Sequence, residues 1–353
     1  MLNDSVGEGA ASAALTSFHD VRRGDPAPDW VRSGIVDGWS LPADTVVTLI
    51  VLSENVTFVA RPTGAPPLII RLARPGYSAG RAHLNSELTW IEALRRDAGI
   101  PTPGPVRGAD GQYVQTIRDA SGGGWDAVAF EFVAGSVLED QAEIAGHFAE
   151  IGSMIARLHA HSRTWRTPSG FERFAWTVDD MVGKTARWGD WRNAPLAEND
   201  RSVLERAELG ARAALVEAGA SVGDPRWWGL IHADLRPSNV MVSAEGMTII
   251  DFDDCGYGFY LYDFAAALTF YEHRPEAGEM AGRWLDGYRT SSPLSSVDLV
   301  AAAALSMLRR LTMLGWQMTH RPDALPADLW DENQDGTVEV AARYLSDPLW
   351  LVR

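Results

Sequence analysis

The sequence predicts an α+β chain of two lobes. After an N-terminal extension (1–20), a small β-rich lobe spans 21–132 and a larger, mainly helical lobe spans 133–353. Three observations carry this. β-rich runs gather in the first third, and longer stretches of helical period dominate the rest. Within the helical part, two short apolar runs joined by a turn read as one hairpin. Strands followed by helices, rather than alternating with them, define the α+β class.

Composition bounds the function. At 353 residues and 46% hydrophobic, the chain can bury one large core or two. No stretch approaches the roughly 20 apolar residues that span a bilayer. The start, Met1 to Glu8, lacks the basic segment and apolar run of a signal peptide. Cys255 is the only cysteine, so no intrachain disulfide forms. A soluble, cytoplasmic protein with no membrane partner is expected. The net charge of −16 argues against a nucleic-acid partner and suits a cationic or zwitterionic small molecule. Lys184 is the only lysine; every other basic side chain of this type is arginine.

The hairpin carries the chemistry. His232-Ala-Asp234-Leu-Arg236-Pro-Ser-Asn239 leads into Val240 to Ser243, then a three-residue turn ending at Gly246, then Met247 to Ile250 and Asp251-Phe-Asp253-Asp254. With Ser243 and Met247 flanking the turn, Asn239 falls opposite Asp251. Opposed residues lie about 4.5–5.5 Å apart at Cα. An amide and a carboxylate at the open end of a hairpin make a hard-oxygen metal site. Asp234, in the loop leading in, can face whatever that metal holds.

These residues resemble the catalytic loop of kinases, where an aspartate accepts the proton of the attacking hydroxyl while an asparagine and a later aspartate hold Mg²⁺ on ATP. The form His-x-Asp-x4-Asn is similar to that of the aminoglycoside phosphotransferase and choline kinase superfamily. The nearest branch holds the type II homoserine kinases and a bacterial stress-response kinase. The resemblance covers about residues 20–325. It implies a protein-kinase-like fold, with Asp234 as base and Asn239 and Asp251 on the metal.

The front half fits a nucleotide lobe. Val46–Leu52, Val56–Ala60 and Leu68–Leu72 read as strands. Ser53-Glu54-Asn55 resembles the short turn that covers the phosphates in this superfamily, with Ser53 and Asn55 as contacts. Arg71 stands where kinases carry a phosphate-binding lysine. Either nucleotide turnover is weakened, or the arginine fork replaces the amine. Residues 82–97 have helical period, and Glu87 lies inside the stripe of Leu84, Leu88, Ile91 and Leu94. A carboxylate there needs a cation unless that face is solvated, and Arg71 is the natural one. Phe130-Glu131-Phe132-Val133 resembles a kinase hinge, whose backbone at Glu131 and Val133 would bind adenine.

In the back half, residues 141–161 read as a helix carrying His159, and 295–321 as a longer one capped near Ser295. His159 and His232 are expected to be structural, and Asp263 to brace the catalytic loop. Asp253 and Asp254 either bind metal or substrate or cap the next turn. The insertion 162–228 holds Trp165, Trp176, Trp188, Trp191, Asp179, Asp180 and Asp190. These either wall an acceptor pocket suited to an ammonium group or pack helices. Residues 1 to about 20 and 322–353 read as small, polar or irregular, with no function assigned to either. Three functions fit these residues: a kinase moving the γ-phosphoryl of Mg-ATP to a hydroxyl of a small amine-bearing molecule (amino alcohol, amino acid or aminoglycoside-like), a protein serine/threonine kinase of the stress-response type, and a nucleotide-binding module without turnover.

Overall fold

The computed structural model describes residues 18, 20–53, 55–75, 80–320 and 327–353. It divides into two compact units: Met1–Ala134 with Thr167–Glu172, and Gly135–Arg166 with Arg173–Arg353. The boundary falls two residues after the expected one.

The first unit is a six-stranded antiparallel sheet. Strands β1 (Val46–Leu52), β2 (Asn55–Arg61), β3 (Leu68–Ala73), β4 (Pro105–Val106), β5 (Gln115–Arg118) and β6 (Gly124–Glu131) run in the order β1-β2-β3-β6-β4, with β5 also on β6. Alternation along these strands sends Phe58, Ile70 and Trp125 to one core with Val31 and Ile35 of α1 (Asp29–Gly38). Phe18 is fully buried in this core, edge-on to Trp125 at 5.4 Å. The segment read as an N-terminal extension therefore reaches the core at Phe18. The rest of residues 1–19 lies outside the described residues. Helix α2 (Arg81–Ala98) covers the expected stretch and stops at Gly99, whose left-handed φ of 58° ends a helix at no Cβ cost.

The second unit packs helices around two small sheets. Helix α3 (Phe148–Thr164) begins seven residues later than the periodicity suggested. Two 3-10 turns precede it, Leu138–Asp140 and Ala145–His147, and the second holds Gly146, where glycine weakens helix propagation. Strands β7 (Ser136–Val137), β10 (Val240–Ser243) and β11 (Gly246–Ile249) form one sheet, in the order β11-β10-β7. Strands β8 (Phe174–Trp176), β9 (Trp228–Ile231) and β12 (Gly256–Phe259) form the other, in the order β8-β12-β9. Helices α4 (Val178–Val182), α5 (Glu198–Glu217), α6 (Tyr262–Ala267), α7 (Ala277–Arg289), α8 (Ser296–His320) and α9 (Ala327–Ser346) complete it. Helix α9 corrects the irregular reading of the C-terminal segment; residues 321–326 lie outside the described ones.

Backbones approach closely between α3 and α7. A Cβ on Gly152 would lie 2.0 Å from the Trp284 carbonyl oxygen, and one on Gly287 1.8 Å from that of Ala149. Only glycine fits these two places. The crossing brings His159 of α3 to Tyr288 of α7.

Candidate active site

Asp234 lies in the loop after β9, and everything around it fixes its position. Its Oδ1 accepts from Arg309 of α8, with Arg236 Nε 3.4 Å away. Its Oδ2 accepts from the Asn239 amide nitrogen at 3.1 Å, and that nitrogen also reaches the Asp234 carbonyl at 2.8 Å. Burial pushes the carboxyl up, but the Arg236 and Arg309 guanidiniums outweigh it and hold it below the ordinary value. The side chain keeps 15% exposure. It is thus an ionised acceptor open at one edge.

The preceding residue, Ala233, is left-handed at φ 69°. Its N–H donates to Asp263 Oδ1 at 2.7 Å, and the His232 N–H donates to Oδ2 at 3.0 Å. His159 Nε2 meets Oδ2 at 3.0 Å, while His159 Nδ1 meets the Tyr288 hydroxyl at 2.9 Å. Burial pushes both His159 and His232 down, so both are neutral at pH 7. The expected brace is present, built from Asp263 and its histidine.

The hairpin register differs from the expected one. Ser243 pairs with Gly246 and Val240 with Ile249, so the turn is two residues, Ala244-Glu245. The Ser243 hydroxyl donates to the Glu245 carboxylate at 2.7 Å and accepts the Glu245 N–H at 3.2 Å, which closes the loop early. Gly246, at φ 123°, takes up the geometry. Asn239 consequently faces Ile250, whose N–H donates to the Asn239 carbonyl at 3.0 Å. Asp251 lies one place beyond. It is exposed and left-handed at φ 65°, where the two-residue period of the strand breaks. A non-glycine residue there costs about 1–2 kcal/mol, and such strain collects at functional positions.

These residues fit a divalent cation. The Asn239 amide nitrogen is committed to Asp234, which leaves its Oδ1 as the acceptor for a metal. Asp251 is an exposed residue one place further on. Among the described residues no group of three or more His, Cys, Asp or Glu forms a metal cage.

The loop after Asp251 is held by its backbone. Arg173 Nε donates to the Cys255 carbonyl at 2.6 Å, its Nη2 reaches the carbonyls of Phe252 and Asp253, and Trp176 Nε1 donates to the Asp254 carbonyl at 2.9 Å. Cys255 is fully buried and serves packing.

In the first unit, Arg71 of β3 reaches Glu87 of α2 as expected. Its Nη2 donates to both carboxylate oxygens, at 2.8 and 2.7 Å, and both side chains are buried. Ser53 is exposed at the β1–β2 turn, and its N–H donates to the Asn55 carbonyl at 2.9 Å. Asn55 differs from expectation. It lies buried in β2, where its Oδ1 accepts the Arg74 N–H at 3.4 Å, so its side chain ties β2 to β3. The Glu131 N–H donates to the Gly104 carbonyl, and its carboxylate pairs with Arg95 at 3.0 Å. Val133 follows in an unpaired stretch of chain, half-buried.

The insertion's aromatic and acidic groups are engaged inside the second unit. Trp176, Trp188 and Trp191 are nearly or fully buried. Asp179 pairs with Arg212, Asp190 with Arg192, and Asp180 caps Thr177. Of the two readings, packing describes these side chains. Sequence reasoning missed Arg309, which sits beside leucines on α8. Its signal was a charged pair, Arg309-Arg310, in the otherwise uncharged stretch 299–319 of that helix.

This is the fold of an ATP-dependent phosphotransferase. The chain belongs to the phosphotransferase enzyme family (APH), which residues 49–299 match. Among solved structures it resembles a microcompartment-associated aminopropanol kinase, with 33% identity and a TM-score of 0.81 over 91% of this chain and 98% of that one. An amicoumacin kinase solved with AMP-PNP and Ca²⁺ shares the fold at a TM-score of 0.70 and 20% identity, over 93% and 95% of the two chains. The homoserine kinase of Mesorhizobium japonicum is 30% identical over 236 residues, 64% of this chain and 66% of that one. The chain spans about half to two thirds of the length of the curated relatives it matches.

Proposed function

We propose that this protein transfers the γ-phosphoryl of ATP to the hydroxyl of a small amino alcohol. The observation that carries this reading is the Asp234 carboxylate, ionised, fixed by Asn239 and Arg309, and open at one edge. Likeness to an aminopropanol kinase and to homoserine kinases supports an acceptor bearing both an amine and a hydroxyl. The strong negative charge of the chain favours a cation.

Asp234 would orient the acceptor hydroxyl and take its proton as the oxygen bonds to the γ-phosphorus; the β–γ bridging bond breaks and ADP leaves. Arg71, steadied by Glu87, would pair the α and β phosphates as the usual lysine does. Asn239 Oδ1 and the Asp251 carboxylate would hold the Mg²⁺ that neutralises the phosphate oxygens. The Ser53 hydroxyl would approach the phosphates, and the Glu131 carbonyl and Val133 backbone the adenine.

The test is ADP release measured with 1-amino-2-propanol, ethanolamine, homoserine, choline and an aminoglycoside in turn. We expect stimulation by an amino alcohol and its loss in Asp234→Asn by about 100- to 10,000-fold. Release unaffected by every acceptor, or phosphorylation confined to a generic protein substrate, would overturn the reading.

A further inference from the structure

We propose that Arg309 is a positioning residue for the phosphoryl transfer, its buried guanidinium on α8 fixing the Asp234 carboxylate and the peptide that carries it. The inference rests on the reading of Asp234 as the base.

The geometry is that of a built clamp. Arg309 is fully buried, a rare state for a charged side chain unless it is paired. Its Nη2 donates to Asp234 Oδ1, its Nη1 to the Ala233 carbonyl and the Tyr262 hydroxyl, both at 3.2 Å, and its Nε to Thr269 Oγ1 at 3.1 Å. The ring of Trp188 lies 4.9 Å from the guanidinium carbon and that of Tyr262 5.5 Å. The aromatic cage that could have received a substrate ammonium therefore holds the chain's own cation.

Ala233 is gripped from both ends. Asp263 takes its N–H and Arg309 its carbonyl, so a left-handed alanine is held in place immediately before the base. Asp234 is likewise gripped at both oxygens, Oδ1 by Arg309 and Oδ2 by Asn239. A carboxylate pinned at two corners has one orientation to offer a hydroxyl. Near-attack geometry is what such pinning supplies, and small misplacements cost large factors in rate. A planar fork with several donors does this; a single ammonium could make only part of the set.

The test compares Arg309→Met and Arg309→Lys with the unaltered protein in steady-state turnover, using the best acceptor. We expect Arg309→Met to lower kcat at least 100-fold while KM for ATP changes less than threefold, and Arg309→Lys to regain at least tenfold of that loss. In the Asp234→Asn background, Arg309→Met should cost less than threefold further, because the group it positions is gone. A purely structural arginine would instead cost the same factor in both backgrounds and move KM for ATP as well. Should Arg309→Met fail to fold, Thr269→Val and Tyr262→Phe leave the arginine in place but loosen its hold. Their combination should lower kcat about tenfold with KM for ATP unchanged.

Turnover within threefold of normal in Arg309→Met, or in the combined variant, overturns the proposal. Full activity in Asp234→Asn overturns the reading of the base beneath it. An inactive Asp234→Asn with an active Arg309→Met removes only the role of Arg309.

Discussion

The Asp263 carboxylate accepts the Ala233 peptide N–H at 2.7 Å, and so fixes a left-handed residue directly before Asp234. The same carboxylate takes the His232 N–H and the His159 ring. Asp263→Ala leaves two buried N–H groups unsatisfied, and the expected cost is about 2–5 kcal/mol of unfolding free energy. Turnover should fall at least tenfold even where the variant is fully folded. Urea denaturation and ADP release read the two effects separately; a variant of normal stability and normal rate would refute the brace.

Burial keeps His159 and His232 neutral in the folded protein, whereas in the unfolded chain each protonates near pH 6.5. The folded values are depressed, so the stability they contribute is complete above about pH 6.5. It is lost as pH falls below that, because the unfolded state then binds more protons. The urea midpoint should drop between pH 7 and pH 5, and the drop should be shallower in His159→Gln. A midpoint that rises with acid would contradict this.

Arg71 and Glu87 form a buried pair, and removing one partner strands the other. Arg71→Ala should cost about 3–5 kcal/mol of stability. Adding Glu87→Ala should restore much of the stability while leaving ATP affinity low. Arg71→Lys is expected to keep turnover within about tenfold, since an ammonium still meets phosphate and carboxylate, though without the fork. Denaturation with parallel nucleotide titrations decides. Full ATP affinity in Arg71→Ala would remove the phosphate role.

Asp251→Ala should weaken nucleotide binding at least tenfold when Mg²⁺ is present and leave the Mg²⁺-free affinity unchanged. Calorimetric titration with and without the ion measures the difference. Equal affinities for the variant and the unaltered protein under both conditions would show that the metal sits elsewhere.

Gly287→Ala places a Cβ against the Ala149 carbonyl at the α3–α7 crossing, where neither backbone can yield cheaply. The expected loss is about 1–3 kcal/mol or more, as for overpacked cores. It should lower turnover too, because His159 and Tyr288 meet across that crossing. A thermal melt within a degree of normal would show that the crossing relaxes.

What the sequence made legible was local. The strands of the first unit, the stripe that placed Glu87 against Arg71, and the Asp234–Asn239 spacing each follow from side chains a few residues apart. What escaped it depended on distant partners or on turn chemistry. The Ser243 hydroxyl shortened the hairpin turn and shifted Asn239 to face Ile250. Arg309 stands 75 residues from the carboxylate it holds, and no pattern within α8 announces that partner. The insertion's tryptophans showed two uses by composition, and only burial separates them. Helix α9 escaped notice because its polar composition masks the periodic face of Val340, Ala341 and Tyr344.

Under the proposed phosphate role, arginine at position 71, in a chain whose single lysine is Lys184 in an exposed loop, also decides how the protein reacts with labels. Acylating nucleotide analogues trap an enzyme by modifying a nucleophilic amine beside the phosphates, and a guanidinium does not acylate under such conditions. Proteome surveys built on that capture chemistry should therefore pass over this protein, even where it is abundant and fully loaded with nucleotide.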